Sequence, residues 1–251
     1  MREYEAGESD KRLSVLCKDH GRLMVYVRGA RKVKSKFLAA SQMFTYGDYV
    51  LSDGRQFFSM TQADVIENFY SIRKDYTHLC QAQYVMEICE KTIPDRTPCD
   101  GLLRLLLKTL QHISRQDTMS ETVTSGHQAI VVFMFRFFLF YGLQPEMNHC
   151  CICGENLENI PNLFNDEGVL CQHCRKHKIQ QNIKHNKKDH ILMSVSAQEA
   201  IRHILNPNQL SIKGDLDDMN KAFLFRATDT VINELHLAAR LCWLGHFQHY
   251  S

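Results

Sequence analysis

Two Cys-x-x-Cys hooks, Cys150/Cys153 and Cys171/Cys174, stand 17 residues apart, and no other feature constrains this chain as strongly. Each hook can present two sulfurs to one ion, and the intervening loop is long enough to bring the hooks together, so the spacing predicts a closed tetrahedral Zn²⁺ site. Cys151 offers a competing ligand in the first hook. Cys150 is the expected one, because Cys-x-x-Cys reaches a single ion with less strain than Cys-x-Cys. Gly154 directly follows the hook, where a positive φ lets backbone N–H groups turn toward the sulfurs. Paired spacing argues against buried thiols or disulfides, and the lack of a βαβ pattern around either hook argues against a redox pair. Four thiolates leave no position for a reactive water, so the metal is expected to be structural. The His-x-Glu and Pro-Cys-x-x-Cys signature of hydrolytic deaminases is missing. His149, His173 and His177 lie close enough to replace a sulfur, but are read as facing solvent.

With 251 residues, 44% hydrophobic and 23% charged, and only five prolines, the composition is that of a folded soluble protein of one to three small domains. The opening Met1-Arg2-Glu3-Tyr4-Glu5 is polar where a cleavable leader needs an apolar stretch, which places the cysteines in a reducing compartment. Cys17, Cys80, Cys89, Cys99 and Cys242 have no paired spacing and read as small buried apolar residues. The apolar run from Ala129 to Leu143 is short for a membrane span and is interrupted by Arg136. It reads as the central helix of a bundle, with Arg136 reaching outward or paired, stopped by Gly142 and Pro145.

Charge is unevenly distributed. Between Lys11 and Lys36 nine Lys/Arg face one acid, Asp19, so the rest of a chain of net charge +2 is acidic. A local positive field of this kind is the footprint of a polyanion site. Arg28, Arg31, Lys32, Lys34 and Lys36 follow the strand-like run Leu23–Val27, with Gly29 among them and no acidic neighbour, and Arg22 opens that run. These six residues are the candidate phosphate contacts of a nucleic-acid site, because loops at strand ends carry the ligands of small barrels. Leu13–Cys17, Leu23–Val27, Phe44–Leu51 and Gln56–Thr61 are candidate strands, and with a basic loop they suggest an OB-fold barrel. Tyr26, Tyr46, Tyr49, Phe57 and Phe58 are available for base stacking, although each also suits a barrel core.

After Glu67 the period becomes helical. Phe69–Thr92, Gly101–Ile113, the central helix, Ser196–Leu205 and Met219–Phe247 are the expected helices, with breaks at Pro94–Pro98 and Asn206–Asn208. The segment Arg175–Lys188 holds six Lys/Arg and no acid, and reads equally as a second phosphate contact or a solvated linker.

The chain resembles the bacterial recombination mediator family RecO. The resemblance is carried by Tyr4–Arg12, His20–Leu23, Arg28–Lys36, Phe44, Thr61–Ala63 with Ile66–Glu67, and Gly142–Pro145 leading into both hooks. It implies an α+β protein in four segments: an OB-fold nucleic-acid-binding domain over 1–70, a helical domain over 71–148 and 191–251, and an inserted four-cysteine zinc module with its basic tail over 149–190. Members usually carry an additional first strand ahead of the Tyr4 element, so the barrel is expected to lack that strand. The resemblance further implies binding of single- and double-stranded DNA, annealing of complementary strands, and action with RecR, and in many bacteria RecF, to load RecA onto DNA covered by single-strand binding protein. A cytoplasmic, nucleoid-associated protein follows, with no membrane partner. No phosphate-binding loop, nucleophile elbow or nuclease-type acid cluster is present, so no catalytic activity is expected. A zinc-module adaptor acting through protein contacts is the alternative. A sequence-specific regulator lacks a helix-turn-helix.

Overall fold

The computed structural model describes residues 2–54, 57–115, 124–157, 159–177, 190–206 and 229–247. The chain packs as two compact units, Met1–Met119 and Ser120–Ser251.

In the first unit, β1 (Arg2–Ala6), β2 (Asp10–Cys17), β3 (Gly21–Val27), β4 (Tyr46–Ser52) and β5 (Phe58–Glu67) form one sheet in the order β1-β2-β3-β5-β4. Neighbours are antiparallel except β3 and β5, which run parallel through Val25↔Phe58 and Tyr26↔Ser59. Period-2 alternation decides which face is inside. Leu13, Leu23, Val25 and Val27 are buried with Met60, and Val15 and Cys17 pack against them. The opposite face carries Arg12, Tyr26, Met24 and Arg22. This is an OB-fold-like strand order, open among the described residues between β1 and β4. A cavity of about 500 Å³ is lined on one side by barrel residues such as Leu13, Val15, Tyr49 and Leu51 and on the other by Leu103, Leu106 and Leu110 of a following helix.

The Tyr4 element itself forms the short β1, a strand missing from the candidates read along the sequence. Its charged, exposed sequence hides it from a hydrophobic-pattern reading. Backbone pairing with β2 in the register Tyr4↔Arg12 makes it a strand, and Lys11 reaches Glu3 at 2.6 Å. Charges along such an edge discourage pairing with a foreign strand.

Between β3 and β4 the chain runs through successive turns. Ala30, Phe37 and Ala40 drop into the barrel core while the basic side chains stay outside. The expected helix over 69–92 is two helices, α1 (Tyr70–Lys74) and α2 (Tyr76–Thr92). Asp75 separates them in an extended conformation, accepting from the His78 N–H at 2.9 Å as the cap of α2. Leu102, Leu105, Leu106, Leu110 and Ile113 form the buried stripe of α3 (Asp100–Ser114).

The second unit is built on α4 (Thr124–Phe140), whose Val131, Val132, Phe133, Met134, Phe135, Phe137 and Phe138 are all buried. Arg136 does not reach outward: it is only 3% exposed, and it donates to the Asn206 carbonyl at 3.5 Å. A three-stranded sheet, β6 (Asn162–Phe164) between β7 (Val169–Leu170) and β8 (Ile191–Met193), joins α4 to α5 (Val195–Leu205) and α6 (Asp229–Phe247). Gln198 ties α5 to the sheet by donating to the carbonyls of Ile160 and Met193. No described helix is long and apolar enough to cross a membrane. Of the unpaired cysteines, Cys89 and Cys242 are buried and Cys17 and Cys99 half-buried, but Cys80 is exposed, against expectation.

Candidate metal centre and nucleic-acid interface

The first hook is a tight turn after α4. The Gly154 N–H donates to the Cys150 carbonyl at 2.9 Å, with Gly154 at φ +74°, a conformation that an L side chain resists. The second hook leaves β7 and enters a short helix, where the Cys174 N–H lies 3.4 Å from the Cys171 sulfur. Together the hooks bring the sulfurs of Cys150, Cys153, Cys171 and Cys174 within 4.8 Å of one another. Cys153 and Cys171 are 3.7 Å apart, sulfur to sulfur. A tetrahedron with metal–sulfur bonds of about 2.3 Å has edges of about 3.8 Å, so the spacing fits an ion of that kind. The cluster can hold a metal ion.

Cys151 is turned away from the cluster, its sulfur 3.6 Å from Asn165 Oδ1. His149 faces Glu146 at 3.6 Å, and His173 and His177 lie side by side with tilted rings, centroids 5.1 Å apart. None of the three histidines belongs to the sulfur cluster.

Four thiols this close cannot all ionise without a cation. Burial pushes the Cys150 thiol up, but N–H groups of Cys171, Cys153 and Ile152 outweigh it and hold the thiol at about 6. Burial and the neighbouring sulfurs push the Cys174 thiol up, and burial does the same to Cys171. One thiolate therefore forms readily, and a bound cation would stabilise the others.

The hooks have supports that sequence spacing did not reveal. Glu146 Oε1 accepts from the N–H groups of Asn148 at 2.7 Å and His149 at 3.0 Å, bracing the approach to Cys150. Asn165 Oδ1 accepts from Glu167 and Gly168 and shapes the β6–β7 turn. From α5, Arg202 Nε donates to the Met147 carbonyl at 2.9 Å. Local Asx-type turn chemistry around Asn165 is the one signal that could have marked any of these in advance.

The six candidate DNA contacts divide into two groups. Arg22 is held by Asp95 at 2.6 Å. Arg31 pairs with Glu5 of β1 at 3.1 Å, so the basic loop has an acidic neighbour that is invisible in its own sequence. Lys36 donates to the Thr61 carbonyl at 3.0 Å, with its ammonium over the Phe37 ring. Arg28, Lys32 and Lys34 are exposed and form no ion pair among the described residues. Of the candidate stacking rings, Tyr49 and Phe58 pack against the barrel core, whereas Tyr26 and Phe57 do not belong to it. In the second basic segment only Arg175–His177 falls within the described residues.

Residues 1–69 match the family model described as Recombination protein O N terminal, and residues 73–203 match Recombination protein O C terminal. The chain belongs to the RecO family. It is 28% identical to the DNA repair protein RecO of Acetivibrio thermocellus over 236 residues, covering 94% of this chain and 84% of that one. Identity to the DNA repair protein RecO of Alkaliphilus metalliredigens is 27% over 246 residues, 96% of each chain. The DNA repair protein RecO of Listeria welshimeri is 30% identical over 174 residues, 69% of this chain and 66% of that one. The RecO N-terminal match covers the whole open barrel, including β1 and the basic turns. The RecO C-terminal match contains both cysteine hooks.

Proposed function

We propose that this chain is a DNA-binding recombination mediator in DNA repair. It binds single- and double-stranded DNA, anneals complementary strands, and helps load RecA onto DNA covered by single-strand binding protein, with RecR and in many bacteria RecF as partners in the cytoplasm, at the nucleoid. Membership of a family whose relatives are named DNA repair proteins supports this reading. The observation that carries it is the chain of turns after β3, which presents Arg28, Lys32 and Lys34 outward with no ion pair among the described residues. No bond chemistry is involved. Basic side chains hold the backbone of one strand, and its bases remain free to pair, so that duplex formation supplies the driving free energy. Cys150, Cys153, Cys171 and Cys174 would hold one Zn²⁺, which cross-links the two hooks and offers no open position for a reactive water.

Replacing Arg28, Lys32 and Lys34 together by Ala should weaken binding to every oligonucleotide regardless of sequence. The slope of log K against log salt should flatten by roughly 0.7 for each single-strand phosphate that is no longer neutralised, and annealing should fall in parallel. A variant with wild-type melting behaviour that keeps the parental affinity and slope would refute the assignment of the loop.

A further inference from the structure

Two histidines beside the second hook have no part in the sulfur cluster, and their geometry suits a metal ion of their own. The helix that follows Cys171 is described over 172–177, and it carries His173 and His177 four positions apart. Residues at that spacing share one face of a helix, as the two histidines of the His-Glu-x-x-His zinc motif do. Both are exposed, whereas Cys171 and Cys174 of the same segment are each only 8% exposed. The segment therefore turns sulfurs inward and imidazoles outward.

The ring centroids are 5.1 Å apart and the planes are tilted by 58°, so the rings are not packed face to face and a nitrogen of each can turn toward one point between them. An ion bonded to each ring at about 2.1 Å lies about 3.2 Å from each centroid, and centroids at this separation then subtend about 105° at the ion, between the octahedral and tetrahedral values. No third His, Cys, Asp or Glu joins the pair in a metal-holding group among the described residues, so water would complete the shell. Arg175 and Lys176 stand between the two histidines in the chain and repel a cation. Two neutral nitrogens beside two positive charges make a weak, exchangeable site, next to a cluster of sulfurs that binds more tightly.

We propose that His173 and His177 form an exposed loading site for a divalent transition metal ion, which binds there from solution and passes to Cys150, Cys153, Cys171 and Cys174. The transfer is a ligand exchange: a sulfur–metal bond replaces each nitrogen–metal bond, and the proton of the thiol goes to water. Nothing is oxidised or reduced. Three of the four sulfur ligands are buried, so an ion arriving directly must shed water before it meets them, whereas the exposed imidazoles replace that water in steps. The delivery step rests on the zinc reading of the sulfur cluster, and the histidine site does not.

Wild type carrying one equivalent of Zn²⁺, its sulfurs occupied, tests the site by itself. Substoichiometric Ni²⁺ should broaden the ring NMR signals of His173 and His177 before those of the other histidines. His173→Gln with His177→Gln, melting at the wild-type temperature, should weaken Ni²⁺ binding at least about tenfold, because even groups one shell away from a metal cost that much. Broadening that starts at other histidines, or an unchanged Ni²⁺ affinity in the double variant, would overturn the site. Delivery is read by mixing chelator-stripped protein with Co²⁺, whose sulfur-to-metal charge-transfer absorption reports arrival at the cluster. The double variant should reach the wild-type absorbance severalfold more slowly. An equal rate would overturn delivery, and a lower final absorbance would make the histidines ligands of the cluster itself and overturn a separate site. Absence of the absorption in wild type would overturn the zinc reading and delivery with it, leaving the Ni²⁺ result to decide the histidine site.

Discussion

Asp10 gathers three donors at the start of β2, and its carboxyl titrates below the usual carboxylate range, chiefly through the Tyr26 hydroxyl and then the Gly29 N–H. A depressed folded-state value means that its contribution to stability is present above the unfolded value of about 3.9 and is lost as pH falls through the folded value. Urea midpoints of wild type and Asp10→Asn should therefore differ at pH 7 in favour of wild type, and the gap should narrow as pH falls below the unfolded value of about 3.9; a gap independent of pH would show that the carboxylate charge is not responsible. Gly21 is a second residue whose role is set by one contact. With φ +60° and the Thr97 backbone against its α-carbon, it has no room for a methyl group. Gly21→Ala should cost about 1–3 kcal/mol, read as a lower melting temperature. An unchanged melting temperature would mean that the 95–97 segment is free to move off β3.

At the scale of elements, the cysteine hooks show how a short motif depends on its neighbours. The first hook is braced by Glu146 and by α5 through Arg202, and the second emerges from β7, so the small sheet sets the distance between them. Cys150 and Cys151 are adjacent in sequence but differ in direction, one entering the sulfur cluster and the other meeting Asn165. Elemental analysis of purified protein should find one zinc per chain in wild type and in Cys151→Ser, and close to none in Cys171→Ser. Zinc retained in Cys171→Ser, or lost in Cys151→Ser, would reassign the ligands.

Over the whole molecule the two compact units keep separate cores, one of alternating strand residues plugged by Phe37 and one around the phenylalanines of α4. The sulfur cluster belongs entirely to the second. Chelation should then remove hydrogen-exchange protection around Met147–His177 while β2 and β3 stay protected. Equal loss in the barrel would contradict a metal role confined to its own unit.

The sequence by itself determined what short-range rules control. Hook spacing located the four sulfurs, alternation located β2 and β3, the leucine period located α3, and the family resemblance matched the domain models over most of the chain. These signals survive because periodicity and spacing are properties of a few neighbouring residues. Tertiary structure alone decided the long-range partners. Arg22 meets an aspartate 73 positions away, and Arg31 meets Glu5 through β1, a strand too polar to be read from its own pattern. Arg136 is buried because every side of α4 is covered, and Arg28, Lys32 and Lys34 stay exposed without an ion pair among the described residues while Arg22 and Arg31 are held by distant acids. Which charges remain available to a ligand depends on these distant pairings, and no local pattern encodes them.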